Sequence, residues 1–186
     1  MSSSAITRPR TRVVDAFQSA ALTIGPLEPG MSLFALTRGQ FSMVDAIRYL
    51  LGELGSGCIS LWPRTVAVSR GDYIEALRLD ARVTSARLVF KSGDERKNVI
   101  LVAAWQSSFG PQSVVHCRTH AKIATVEGGG LRFLLRGSLN LGVGSRFEQF
   151  DLSEGDAAFA MVRRVEEGLP AVACVALPAQ ARLGGW

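Results

Sequence analysis

The chain has two histidines, and both fall in one short stretch, at His116 and His120. Lys122 follows His120 by two residues, the interval at which side chains of an extended segment return to the same face. Beyond the glycines at 128–130 comes Arg136-Gly137-Ser138-Leu139-Asn140. If those glycines reverse the chain, the segment starting at Leu131 folds back on the one carrying His120. Ser138 and Asn140 then come beside the imidazole and the ammonium. An imidazole serves as nucleophile or proton carrier, an ammonium as charge clamp, and a hydroxyl and a carboxamide as neutral hydrogen-bonding groups. Such a set suits a phosphoryl group.

The elements that must position these groups read as strands alternating with helices. Met31–Leu36 reads as a strand. Ser42 is a helix N-cap, and Val44, Ile47, Leu50, Leu51 and Leu54 recur at helical spacing, so Ser42–Leu54 is an amphipathic helix stopped by Gly55 and Gly57. Cys58–Trp62, Ala86–Phe90, Ser113–Cys117, His120–Val126 and Leu131–Leu135 read as strands. Gly71–Leu79 reads as a helix, and Asn98–Trp105 fits one that is closed by Phe109-Gly110-Pro111. Val13–Leu22 is expected to form a short helix. Glu154–Glu167 is expected to form a last one, with Phe159, Val162 and Val165 on its apolar face. Val172–Leu177 reads as a final strand. The pattern predicts an α/β sandwich: a mixed, mostly parallel sheet flanked by helices on both faces. Residues 13–178 form the single domain, 1–12 a flexible basic arm and 179–186 a tail.

His120-Ala121-Lys122, four residues, Glu127, nine residues and Gly137-Ser138-Leu139-Asn140 together resemble the HKD signature of the phospholipase D superfamily, HxKxxxxD followed by GSxN. The match holds in type and spacing at His, Lys, Gly, Ser and Asn. It departs at Glu127, which stands for the aspartate, and in the slightly long gap to Gly137. The resemblance is tight over residues 116–151 and loose from about 31 to 177. It implies a phospholipase D-like fold, with His120, Lys122 and Asn140 as catalytic residues. Lys122, Ser138 and Asn140 would bind the substrate phosphate, and Glu127 would support the local fold. Family members place a carboxylate about a dozen residues after GSxN to orient the histidine. Glu148 and Asp151 both qualify, and Glu148 is preferred because it follows Ser145-Arg146 as in small bacterial nucleases of the family.

Family enzymes build one site from two such motifs. With two histidines in the chain, no second motif exists, so the resemblance implies a homodimer with one composite site at its two-fold axis. It also implies a phosphohistidine intermediate and no metal or other cofactor, because lysines neutralise the phosphate.

Basic residues outnumber acidic ones by 21 to 16, a net charge of +5, which favours a polyanionic partner. The expected function is therefore a metal-independent nuclease acting on DNA or RNA. The alternatives are a phospholipid phosphodiesterase and a catalytically silent nucleic-acid-binding module of phage or mobile-element origin. No apolar run reaches the ~18 residues of a membrane span, and Met1–Arg12 has no apolar core, so neither membrane insertion nor secretion is expected and the location is read as cytoplasmic. Cys58, Cys117 and Cys174 lack metal-ligand spacing and read as reduced thiols. His116 reads as a packing or surface residue, and Arg118, Arg136 and Arg146 as surface charges or phosphate contacts. Trp62 and Trp105 read as core residues.

Overall fold

The computed structural model describes residues 11–16, 19–63, 71–144 and 146–173. They form eight strands: β1 (Arg12–Ala16), β2 (Ser32–Thr37), β3 (Gly57–Trp62), β4 (Val83–Lys91), β5 (Val114–Cys117), β6 (Ile123–Gly128), β7 (Leu131–Gly137) and β8 (Glu148–Glu154). Five α-helices accompany them: α1 (Ala20–Ile24), α2 (Met43–Leu54), α3 (Gly71–Arg78), α4 (Val99–Phe109) and α5 (Ala157–Glu167). None of these helices is long and apolar enough to cross a membrane.

All eight strands join one mixed sheet in the order β1-β2-β8-β7-β6-β3-β4-β5. The expected α/β class holds, but the expected parallel majority does not. Pairs β1–β2, β3–β4 and β4–β5 are parallel, whereas β2–β8, β8–β7, β7–β6 and β6–β3 are antiparallel. The reason is the hairpin unit β6–β8, which inserts between β2 and β3. Parallel partners need a crossover of a dozen or more residues, whereas Gly129-Gly130 turns β6 directly into β7. Their φ values of 56° and 81° suit the tight two-residue turn of a hairpin.

From β1 to β5 the chain steps across the sheet in one direction. Right-handed crossovers then place every intervening helix on the same face. Accordingly Ile24 of α1, Leu50 of α2, Ile74 of α3 and Trp105 of α4 share one core with the inward residues of the sheet. The opposite face carries α5, whose Phe159 and Val162 pack on Trp62, Val89, Val115 and Leu134.

Several boundaries differ from the sequence reading. Val13 and Val14 are not helical: β1 pairs in parallel with β2, with Val13 opposite Phe34, and the helix begins only after Ser19, whose hydroxyl accepts from the Leu22 N–H. Arg12 is no free arm residue, because its guanidinium donates to the carbonyls of Thr23 and Ile24 at the end of α1. The last helix starts at Ala157, capped by Asp156, because the preceding residues through Glu154 extend β8. Val165 points outward, 46% exposed, and Glu166 takes the third inward position of α5. The other reading limits, including the arm residues 1–10, Cys174, residues 174–177 of the expected final strand and the tail 179–186, lie outside the described residues.

Candidate phosphate site at the rim of the sheet

The last β6–β7 pair is Ile123 with Arg136, and the last β3–β6 pair is Trp62 with Ile123. Lys122 therefore stands one residue beyond the ladder, still tied to it by the Gly137 N–H donating to its carbonyl. Its side chain follows the alternation that sends Ala124 and Val126 into the helix-covered core. The ammonium donates to the Ser138 carbonyl at 2.5 Å and to Asn140 Oδ1 at 3.0 Å. Asn140 Nδ2 in turn donates to Glu148 Oε1 at 2.8 Å. A cation, a carboxamide and a carboxylate thus form one hydrogen-bonded chain, and all three residues are half-buried.

Local sequence explains the placement. Leu139 and Leu141 are buried in the main core, so the alternate residues Ser138 and Asn140 are turned away from it. The Asn140 carbonyl accepts from the Met43 N–H, pinning the loop to the first turn of α2. That helix end is fixed by a capping box between Ser42 and Asp45, and its dipole adds positive potential beside the loop. Gly137 has φ 149°, and a Cβ there would lie 2.3 Å from the Gln149 carbonyl oxygen. No side chain fits, which is the physical reason for glycine at the head of this motif.

Ser138 is committed to β8: its N–H donates to the Gln149 carbonyl at 2.8 Å, and its hydroxyl accepts from the Gln149 N–H at 2.9 Å. Its visible role is to splice the end of β7 to β8. Of the two candidate carboxylates, Glu148 belongs to the site. Asp151 lies an odd number of residues along β8 and so projects to the other face of the sheet. Glu127 is not near Lys122 either. It sits exposed at the far end of β6, about 16 Å away at ~3.3 Å per residue.

His120 was expected on a strand and is not on one. Residues 118–122 link β5 to β6, and β4 and β3 lie between those strands. Five residues must cover three strand spacings, about 14 Å at ~4.8 Å each. The link is stretched over the carboxyl ends of β4 and β3 and finds no strand partner there. His120 is exposed on it, two residues from Lys122, with no hydrogen-bond partner among the described residues. Glu148 accepts its hydrogen bond from Asn140 rather than from the imidazole. His116 lies at the end of β5 on the sheet's edge, its Nδ1 3.9 Å from Glu95, and takes no part in the site.

The site therefore occupies the carboxyl ends of β2, β3 and β7, the position where α/β sheets bind ligands. Arg118 and Arg146 are exposed, and Arg136 lies 3.9 Å from Asp156 on the α5 side. Among the described residues no three His, Cys, Asp or Glu side chains converge as a metal ion would require. Cys58 and Cys117 are free thiols, and burial pushes the Cys117 thiol up from its ordinary pKa. Sequence reasoning missed Phe147, an exposed ring stacked under Arg38 beside Glu148. No protein-family model matches the chain, and no curated protein matches it.

Proposed function

We propose that the chain is a metal-independent phosphodiesterase of phospholipase D type that cleaves nucleic acid at a site shared by two copies. The observation that carries this reading is the hydrogen-bonded chain Lys122–Asn140–Glu148 at the carboxyl rim, with His120 two residues away. The ammonium and the carboxamide suit the non-bridging oxygens of a phosphate, and the net charge of +5 suits a polyanion.

In the proposed reaction, one His120 imidazole attacks phosphorus. The P–O bond to the leaving group breaks, and that oxygen takes a proton from the partner subunit's His120. The now neutral imidazole then removes a proton from water, and the water oxygen displaces the first histidine from phosphorus. Lys122 and Asn140 of each copy hold the charge of the phosphoryl oxygens throughout.

A binding module without turnover is the second reading. It is favoured by one observation, that Glu148 holds Asn140 and leaves the imidazole unoriented.

Purified protein is incubated with single- and double-stranded DNA and RNA, with and without EDTA, beside His120→Ala. Cleavage that survives EDTA and falls at least ~10³-fold in the variant is expected. Strict dependence on a divalent ion overturns the mechanism. Binding without cleavage favours the silent module, and release of a lipid headgroup with no cleavage of nucleic acid favours the phospholipid enzyme. Re-equilibrated equal mixtures of wild type and variant retain about one quarter of the activity if both histidines serve one site, and about one half if each copy acts alone.

A further inference from the structure

Phe147 is the only exposed phenylalanine, tyrosine or tryptophan among the described residues, with 65% of its surface open. It does not lie bare by accident of a loop tip. It directly precedes β8, and the Arg38 guanidinium lies over its ring, 4.9 Å from the centroid. Arg38 directly follows β2. The β2–β8 ladder ends at Thr37 opposite Glu148, so Arg38 and Phe147 stand one register step beyond the glutamate of the site. The ring thus belongs to the residue directly before Glu148, the carboxylate end of the hydrogen-bonded chain. A large exposed ring beside an arginine, near the proposed phosphate site, offers a planar π-face and a cation at one rim of the sheet. Unpaired nucleobases stack on such surfaces whatever their identity, while the backbone follows the positive charge. A base inside a duplex has no free face to offer.

We propose that Phe147 and Arg38 form a stacking platform for a nucleobase, and that the chain engages single-stranded nucleic acid in preference to duplex. This inference rests on the nucleic-acid reading of the site but not on turnover. The platform seats a base at the same carboxyl rim as Lys122 and Asn140. The exposed guanidinium of Arg146, one residue before the ring, adds positive charge for the strand.

The test measures binding by fluorescence anisotropy in a His120→Ala background, so that no cleavage is needed. The probes are a labelled 12-mer of oligothymidylate, an abasic strand of equal length and charge, and a 12-base-pair duplex. Expected for Phe147→Ala is a loss of oligothymidylate affinity of roughly ten- to hundredfold, with Phe147→Trp restoring it. Affinity for the abasic strand and the duplex changes less than about twofold, because phosphate contacts remain. Equal losses on all three probes, or no loss on any, overturn the platform. So does an unchanged affinity with a shift from dimer to monomer in sedimentation velocity, which assigns the ring to a second copy of this chain. If wild-type protein cleaves nothing yet shows the Phe147-dependent binding, the phosphodiesterase reading fails while the platform stands.

Discussion

Two polar clusters in this fold each contain a glutamate, and they differ in how they are closed. On the α5 face, Glu166 is 1% exposed and its carboxyl group accepts from Ser60 Oγ, from Trp62 Nε1 at 2.6 Å and from Arg163 at 2.8 Å. Every donor comes from the protein, and the cluster bolts α5 to β3. At the rim, Glu148 is half-buried and holds only Asn140 among the described residues, which holds Lys122. A closed network of this kind contributes a unique packing, because a buried polar group without a partner costs about 1–3 kcal/mol. An open one keeps a cation and a carboxamide within reach of solvent, where a ligand can meet them. The same residue type thus serves architecture at one place and is available for chemistry at the other.

The largest contrast is expected from Lys122→Met. Cleavage should fall about 10³-fold as the charge on the phosphoryl oxygens goes uncompensated. The urea midpoint should hold or rise, since sites kept open for ligands are rarely optimised for stability. A large drop in midpoint would show that Lys122 is a structural tie. Glu166→Ala should behave in the opposite way. Stripping the acceptor from Ser60, Trp62 and Arg163 is expected to cost about 3 kcal/mol in urea unfolding, with cleavage per folded molecule retained. If that variant does not fold, Glu166→Gln, which keeps an acceptor, should recover part of the loss. Unchanged stability in Glu166→Ala would erase the distinction between the clusters.

Glu148 allows a finer measurement. Glu148→Ala should lower kcat about tenfold by releasing Asn140, and Glu148→Gln should restore it, since a carboxamide oxygen can still accept from Asn140 Nδ2. Equal loss in both variants, with a shifted pH profile, would mean that the carboxylate's charge acts on the imidazole directly. The smallest effect is expected at Asp80, remote from both clusters. The Arg82 guanidinium, hydrogen-bonded at 2.7 and 2.9 Å, holds its carboxyl below the ordinary value, with Arg48 adding a weaker pull. A carboxyl depressed in the fold stabilises the protein above the unfolded range and loses that contribution as pH falls through the folded value. Asp80→Asn should therefore lower stability by about 1 kcal/mol at pH 7. The difference from wild type should vanish well below about pH 4. A difference that persists at pH 2 would assign the effect to packing.

What could be read in advance followed how local its cause was. Ser42 capping a helix with Val44, Ile47 and Leu50 on one side is decided within thirteen residues, and the helix is where its pattern puts it. β1 is a strand because Val13 meets Phe34 twenty-one positions away, which no window over Val13–Leu22 contains. The antiparallel majority was hidden for the same reason: it depends on where β6–β8 insert. In the site, Lys122 and Asn140 were legible from residue type and spacing, and Glu148 only through the resemblance, with Asp151 as its rival. Glu166 was not, because a search for apolar periodicity passes over a charged residue at an inward position. Phe147 was not either, because exposure is a property of the neighbours.

The insertion of β6–β8 also bears on folding. A chain that has formed only β1 to β5 leaves β2 and β3 with a gap of four strand spacings between them, about 19 Å. Each borders that gap with an unpaired edge, the kind of surface on which chains pair wrongly with one another. Residues 123–154 fill it; their own hairpins are local, but the ladders that join them to β2 and β3 span a high sequence separation, the slow kind to form. The same residues bring Asn140 and Glu148 to Lys122. Closure of the sheet and assembly of the Lys122–Asn140–Glu148 chain consequently depend on the same segment, and a chain in which it is not yet docked exposes two adhesive edges.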